Sequence, residues 1–123
     1  MSRVQLISIV DDDDALRNSL DDLIRSIGFR TQGFPSADAF LSSNQAHDTA
    51  CLILDVWMPG MNGLELQRQL VVADWCIPII FVTAYADDDA RARALAAGAV
   101  AFLYKPCREE ALLNAIDAAL KHS

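Results

Sequence analysis

Residues 4–14 read VQLISIVDDDD, a short apolar run rich in branched side chains that ends abruptly in four aspartates. An apolar run of this length is typical of a strand buried on both faces of a sheet. After it, leucine and isoleucine recur at helical spacing from Leu16 to Ile27, and Gly28 provides a left-handed stop. The stretch therefore predicts a strand followed by a helix, with acidic side chains at the turn between them.

The same alternation continues to the end of the chain. Further strands are predicted over 29–34, 51–54, 78–82 and 100–104, and helices begin near Ser36, Leu64, Asp87 and Arg108. Residues 58–63 (MPGMNG) are dense in turn formers and predict a loop. Five strands alternating with five helices indicate an α/β fold, a doubly wound, flavodoxin-like parallel sheet in the order 2-1-3-4-5 with helices on two faces.

Length and charge limit the classes of protein to which the chain can belong. With 123 residues a single domain over 1–123 is expected. The 17 acidic and 10 basic residues give a net charge of −7, which repels phosphate backbones and anionic lipid, so direct nucleic-acid or membrane binding is not expected.

Cysteines, histidines and apolar runs also carry information. Cys51, Cys76 and Cys107 are scattered and His47 and His122 are isolated, which favours reduced thiols over a disulfide framework or a zinc site. We find no signal-peptide pattern, and the longest nearly apolar run, residues 94–104, is too short to cross a bilayer. We therefore expect a cytoplasmic protein.

Reactive side chains follow four of the five predicted strands. Strands one, three, four and five end at Asp11–Asp12, Asp55, Thr83 and Lys105, respectively. Ligands of doubly wound sheets bind at the carboxyl ends of the strands, so the topology brings these groups together. Clustered carboxylates repel one another, which requires either a protonated carboxyl or a hard cation such as Mg²⁺. A cation, a lysine and a hydroxyl around one carboxylate are suited to binding a phosphoryl group.

Four segments resemble the receiver domain of two-component response regulators. They are residues 9–13 (IVDDD), 54–63 (LDVWMPGMNG), 82–84 (VTA) and 104–106 (YKP), in order and with matching spacing over essentially the whole chain. Residues 58–60 and 97–100 are most similar to receivers that precede a LuxR-type DNA-binding domain.

The resemblance implies a role for each residue of the site. Asp55 would accept a phosphoryl group from a sensor histidine kinase or phosphotransfer protein. Asp12 and Asp55 would bind Mg²⁺, for which Mn²⁺ can substitute, together with the Trp57 backbone carbonyl, and Asp11 would bind directly or through water. Lys105 would pair with the phosphoryl oxygens.

The resemblance also implies a conformational switch. Thr83 would move toward the phosphoryl group and Phe102 would turn inward, which changes the face formed by helix 4, strand 5 and helix 5. A homodimer or a C-terminal DNA-binding output domain would respond to this change. The Lys105–Pro106 bond would be cis.

Several residues and functions remain open at this point. Trp57 and Tyr85 are expected to flank the site as an aromatic lid that slows hydrolysis. Asp13, Asp14 and residues 87–89 are expected to cap or begin helices. Helix 4 is rich in alanine, so we expect weak anchoring and movement on phosphorylation.

Three alternatives to the phosphoacceptor switch can be weighed from the residues. A phosphorylation-independent docking module conflicts with the intact set of acidic, hydroxyl and lysine residues. A phosphohydrolase acting through an aspartyl phosphate usually has a second aspartate where this chain has Trp57. A flavin carrier conflicts with Asp11–Asp12, which would repel the flavin phosphate. The receiver is therefore expected to assist its own phosphorylation rather than act as an enzyme on other substrates.

Overall fold

A computed structural model describes residues 4–44, 46–85 and 87–121. Within these residues the chain forms five strands, five α-helices and one short 3-10 helix. The strands are β1 (Leu6–Val10), β2 (Arg30–Phe34), β3 (Thr49–Leu54), β4 (Ile79–Thr83) and β5 (Ala101–Tyr104). The helices are α1 (Asp14–Ser26), α2 (Ala37–Leu41), α3 (Gly63–Val72), α4 (Asp88–Ala96) and α5 (Glu109–Lys121).

The strands form one parallel sheet in the order β2-β1-β3-β4-β5, which confirms the predicted topology. The predicted strand starts were off by one or two residues: β1 begins at Leu6 rather than Val4, β3 begins at Thr49 rather than Cys51, and β2, β4 and β5 each begin one residue later than predicted. The 3-10 helix Ala46–Asp48 was not predicted. At β3 the polar Thr49 pairs with β1 without an apolar pattern to mark it, whereas the apolar residues at the predicted starts of the other strands lie just outside the sheet.

Alternate strand residues build two apolar layers. One layer joins the sheet to α2, α3 and α4 and includes Phe40, Leu66, Phe81 and Ala94. The other joins the sheet to α1 and α5 and includes Ile9, Ile24, Ile80, Leu112 and Ile116. Both faces of the sheet are therefore covered, which explains why the strands read as continuous apolar runs.

Acidic and amide side chains begin three of the helices. Asp13 caps α1 by accepting hydrogen bonds from the backbone N–H groups of Ala15 and Leu16, and Asp87 caps α4 in the same way. Asn62 and Glu65 form a reciprocal capping box at the start of α3. The expected capping roles of Asp13 and Asp87 are confirmed.

Two further expectations concern cysteines and apolar segments. Cys51, Cys76 and Cys107 are free thiols, and burial raises the pKa of Cys51 to about 12. In the described part of the chain, every helix is too short or too polar to cross a membrane.

On α3, Val71 and Val72 are exposed, so the apolar pattern of that helix continues beyond its buried face.

Candidate functional site

The carboxyl ends of β1 and β3 lie side by side at the centre of the sheet. Val10 pairs with Leu54, so Asp11 and Asp55 leave neighbouring strands at the same level. The backbone N–H of Asp11 donates to the Phe34 carbonyl at 3.1 Å, and that of Asp55 donates to the Val10 carbonyl at 3.0 Å. Both aspartates are thus fixed by the sheet itself rather than by a mobile loop.

Three carboxylates meet at this point. One oxygen each from Asp11, Asp12 and Asp55 lies within 4.8 Å of the others. Asp11 and Asp55 are buried, with 2% and 6% of their surfaces exposed, whereas Asp12 is exposed. In this cluster the carboxylates of Asp11 and Asp55 are therefore buried, and that of Asp12 faces solvent.

Lys105 binds both buried carboxylates. Its Nζ lies 2.9 Å from Asp11 Oδ2 and 3.5 Å from Asp55 Oδ2. The Lys105 backbone N–H donates to the Thr83 carbonyl at 2.8 Å, and its peptide bond to Pro106 is cis. The ends of β4 and β5 thereby hold the ammonium group over the carboxylates.

Burial and charge shift two pKa values in this cluster. Burial, followed by the negative charge of Asp11, raises the pKa of Asp55, although Lys105 and a hydrogen bond from the Trp57 backbone oppose the shift. Burial alone would lower the pKa of Lys105, but its hydrogen bond to Asp11 and the charges of both aspartates raise it. Lys105 is therefore protonated at neutral pH, and ionisation of Asp55 costs free energy in the fold.

Thr83 lies at the end of β4 and is fully buried. Its Oγ1 is, among the described residues, a buried polar atom without a hydrogen-bond partner. A buried hydroxyl without a partner costs about 1–3 kcal/mol. Thr83 Oγ1 therefore has an unused hydrogen-bond donor at the end of β4.

The donor set fits Mg²⁺. Asp11, Asp12 and Asp55 offer only oxygen ligands, and the exposed Asp12 leaves one side open to water and to a phosphoryl oxygen. Sulfur and imidazole ligands, which favour zinc, are absent from the described cluster. The predicted acidic residues therefore form the kind of site that a hard divalent cation prefers.

Gly63 closes the loop that follows Asp55. Its backbone N–H donates to the Val56 carbonyl at 2.8 Å. A Cβ atom at this position would lie 2.2 Å from the Asp55 carbonyl oxygen and 3.1 Å from the Phe81 ring. The turn-rich segment 58–63 predicts Gly63 only as a turn former, but in the structure Gly63 lets the start of α3 approach the backbone of Asp55.

The aromatic residues predicted around the site differ in exposure. Trp57 and Tyr85 are 41% and 67% exposed, so neither residue is buried. Phe102 is only 8% exposed and contacts the Phe81 and Tyr104 rings at centroid distances of 5.7 and 5.6 Å. Phe102 is therefore a buried strand residue in this structure, and its inward turn on phosphorylation stays a prediction.

Arg17 is a residue that the sequence analysis missed. Its guanidinium donates to the Asp11 backbone carbonyl at 2.7 Å and pairs with Asp14 at 2.5 Å. The signal in the sequence is the three-residue spacing between Asp14 and Arg17, which is common for surface ion pairs and does not reveal the second contact.

The fold and the site together define a class of protein: a flavodoxin-like domain with an acidic, lysine-paired site at its topological switch point. The family model described as "Response regulator receiver domain" matches residues 7–117. The chain therefore belongs to the receiver domain family of two-component response regulators.

Particular relatives agree with this assignment. Response regulator protein TodT of Pseudomonas putida is 49% identical over 119 residues, which cover 97% of this chain and 52% of TodT. The structure titled FixJ-N superposes with a TM-score of 0.88 at 35% identity, covering 99% of this chain and 98% of that one. The response regulator StyR gives a TM-score of 0.90 at 43% identity, covering 98% of this chain and 61% of StyR. The chain spans about half the length of the curated relatives it matches.

Proposed function

We propose that this receiver domain accepts a phosphoryl group on Asp55 from a sensor histidine kinase or a phosphotransfer protein. The observation that carries the proposal is the position of the Asp55 carboxylate, which is buried beside Asp11 and contacts the Lys105 ammonium at 3.5 Å. The family assignment supports the same conclusion.

In this reaction a carboxylate oxygen of Asp55 attacks the phosphorus atom of a phosphohistidine. A new O–P bond forms, the P–N bond breaks, and the released imidazole takes up a proton from solvent, so the products are an aspartyl phosphate and a neutral histidine. Lys105 keeps Asp55 ionised and then pairs with the phosphoryl oxygens. Thr83 Oγ1 donates its unused hydrogen bond to one of them.

Asp11, Asp12 and Asp55, together with the Trp57 backbone carbonyl, would hold the metal ion. When bound, Mg²⁺ supplies positive charge to the phosphoryl oxygens and offsets the repulsion among the three carboxylates. Mn²⁺, which accepts the same oxygen ligands, is expected to substitute.

The output of the domain is proposed from its relatives. FixJ and TdiR are named transcriptional regulatory proteins, and this chain covers 57% and 50% of their lengths. We therefore infer that the domain works in the cytoplasm and controls a DNA-binding output domain outside residues 1–123. Movement of Thr83 and Phe102 would change the face of α4, β5 and α5, on which the output domain or a second copy would dock.

Intact mass spectrometry after incubation with acetyl phosphate tests the central step. A single phosphoryl adduct that requires Mg²⁺ and is absent from Asp55→Asn is expected. Beryllofluoride, added with Mg²⁺, gives a second readout through Trp57 fluorescence if the adduct hydrolyses quickly. Absence of both signals would contradict phosphorylation and favour the docking module.

A further inference from the structure

Arg17 lies on the first turns of α1, close to the turn that carries Asp11 and Asp12. Its side chain is only 17% exposed, whereas its ion-pair partner Asp14 is 80% exposed. A surface ion pair of this kind contributes little to stability and does not by itself explain why an arginine is buried. The second contact, to the Asp11 backbone carbonyl at 2.7 Å, accounts for the buried position.

Each oxygen atom of Asp11 has its own donor. Oδ1 accepts from the Asp13 backbone N–H at 2.8 Å, Oδ2 accepts from Lys105 Nζ at 2.9 Å, and the backbone oxygen accepts from Arg17 Nη1 at 2.7 Å. The Arg17 contact fixes the plane of the peptide that joins Asp11 to Asp12, since a peptide group is rigid. Together with the hydrogen bond from the Asp13 N–H to Asp11 Oδ1, it constrains the direction in which Asp12 leaves β1.

Asp12 depends on this contact because little else holds its side chain. Its carboxylate is exposed, and within the described residues we find no hydrogen bond or ion pair to it. Asp11 and Asp55, in contrast, are held by Lys105. Of the three carboxylates in the cluster, Asp12 is thus the one whose position is set through the backbone.

The edge strand β2 provides the space that Arg17 needs. A Cβ atom at Gly33 would lie 3.0 Å from Arg17 Cδ, 3.2 Å from Cγ and 3.3 Å from Nε. The aliphatic part of the arginine therefore packs directly on the bare backbone of Gly33. A methyl group there would displace Arg17 by a few tenths of an ångström without touching the acidic cluster.

From these contacts we infer that Arg17 is a positioning residue for Asp12, and that it sets the affinity of the acidic cluster for Mg²⁺. This inference rests on the proposed function of that cluster. Arginine suits the role because its planar guanidinium bonds two acceptors at once, here a carbonyl and a carboxylate, which a lysine cannot do in the same geometry.

Charge and geometry predict opposite effects when Arg17 is replaced. Removing a positive charge beside an acidic site would strengthen the binding of a divalent cation. Releasing the Asp11–Asp12 peptide would weaken it, and because a hydrogen bond from a charged group is strong, we expect Arg17→Met to raise the Mg²⁺ Kd about tenfold. Arg17→Lys retains the charge and is expected to raise the Kd as well, because a lysine cannot bond both acceptors in the same geometry.

Mg²⁺ titration followed by tryptophan fluorescence, to which Trp57 and Trp75 both contribute, measures these affinities on the whole chain. Arg25→Met is the matched control, because it removes the same charge from the same helix about 12 Å further along its axis. Its Kd should stay within about twofold of that of the parent protein. Thermal unfolding in EDTA reports any general loss of stability, which by itself would not change the Kd of folded molecules.

Gly33→Ala keeps Arg17 and the fold, and it should raise the Kd in the same direction as Arg17→Met. The inference is overturned if Arg17→Met binds Mg²⁺ as tightly as the parent protein or more tightly. If Arg17→Met does not fold, an unchanged Kd in Gly33→Ala overturns it. Failure of the parent protein to bind Mg²⁺ would instead refute the proposed function and remove the basis of the inference.

Discussion

Replacing Gly63 with alanine tests how closely α3 approaches the backbone of Asp55. The added Cβ would lie 2.2 Å from the Asp55 carbonyl oxygen, whereas real Cβ atoms essentially never come closer than 3.0 Å. The start of α3 or the end of β3 must therefore move by about 1 Å in a close-packed region. Leu64 and Leu66 follow directly in the apolar core and resist that movement.

The loss in free energy of unfolding expected for Gly63→Ala follows from the packing and the hydrogen bond that this movement disrupts. Overpacking of this kind costs about 1–3 kcal/mol, and loss of the hydrogen bond from Gly63 to Val56 adds about 1 kcal/mol. The helix propensity of alanine returns at most about 1 kcal/mol. A net loss of about 1–3 kcal/mol lowers the Tm of a domain of this size by roughly 4–12 °C.

Thermal and urea unfolding of Gly63→Ala measure this loss. Gly33→Ala is the control, because the three atoms nearest to its methyl group all belong to the Arg17 side chain rather than to backbone, and its stability should change by less than about 0.5 kcal/mol. Phosphorylation of Gly63→Ala by acetyl phosphate should also slow, since the backbone of Asp55 is displaced. The reasoning fails if Gly63→Ala unfolds at or above the Tm of the parent protein, as helix propensity alone predicts.

Other predictions address the site and α4. In EDTA, Asp55→Asn should raise the free energy of unfolding at neutral pH and leave it unchanged below about pH 4. Because the pKa of Asp55 is raised in the fold, its ionisation destabilises the fold at pH values above its pKa in the unfolded chain. Urea unfolding against pH checks this, and a loss of stability at neutral pH would contradict it. Thr83→Val should raise stability by about 1 kcal/mol by removing a buried, unpaired hydroxyl, while slowing phosphorylation. Trp57→Ala should shorten the lifetime of the aspartyl phosphate, measured by intact mass, and an unchanged half-life would refute the aromatic lid. Hydrogen exchange of residues 91–97 should increase with beryllofluoride, since α4 buries only Ala90 and Ala94, and equal protection would contradict movement of this helix.

The positions of Asp11, Asp55, Thr83 and Lys105 could be predicted because each directly follows an apolar run. Strand ends are marked by a change from apolar to polar residues, and parallel topology places those ends at one edge of the sheet. The role of Arg17 could not be predicted in this way. Its partner is a backbone carbonyl, and backbone atoms carry no sequence signal.

Gly63 and Phe102 show the same limit in packing. A glycine in a turn-rich segment has an obvious local explanation, so the sequence does not reveal that the Asp55 carbonyl lies against its Cα. The burial of Phe102 depends on the rotamer it adopts between the Phe81 and Tyr104 rings, which is a property of three strand residues in contact. The close approach at Gly63 and the burial of Phe102 therefore depend on contacts between side chains and backbone that the hydrophobic periodicity does not predict.

The hydrogen bond from Gly63 to Val56 ties together the two ends of the segment 57–62. Within it, Met58 is buried and anchors the segment, whereas Trp57, Pro59 and Gly60 face solvent. The exposed side chains of this segment can thus be changed while Val56 and Gly63, between which the segment runs, stay in place. Substitutions at the exposed positions of this segment should therefore change the lifetime of the proposed aspartyl phosphate without moving Asp55.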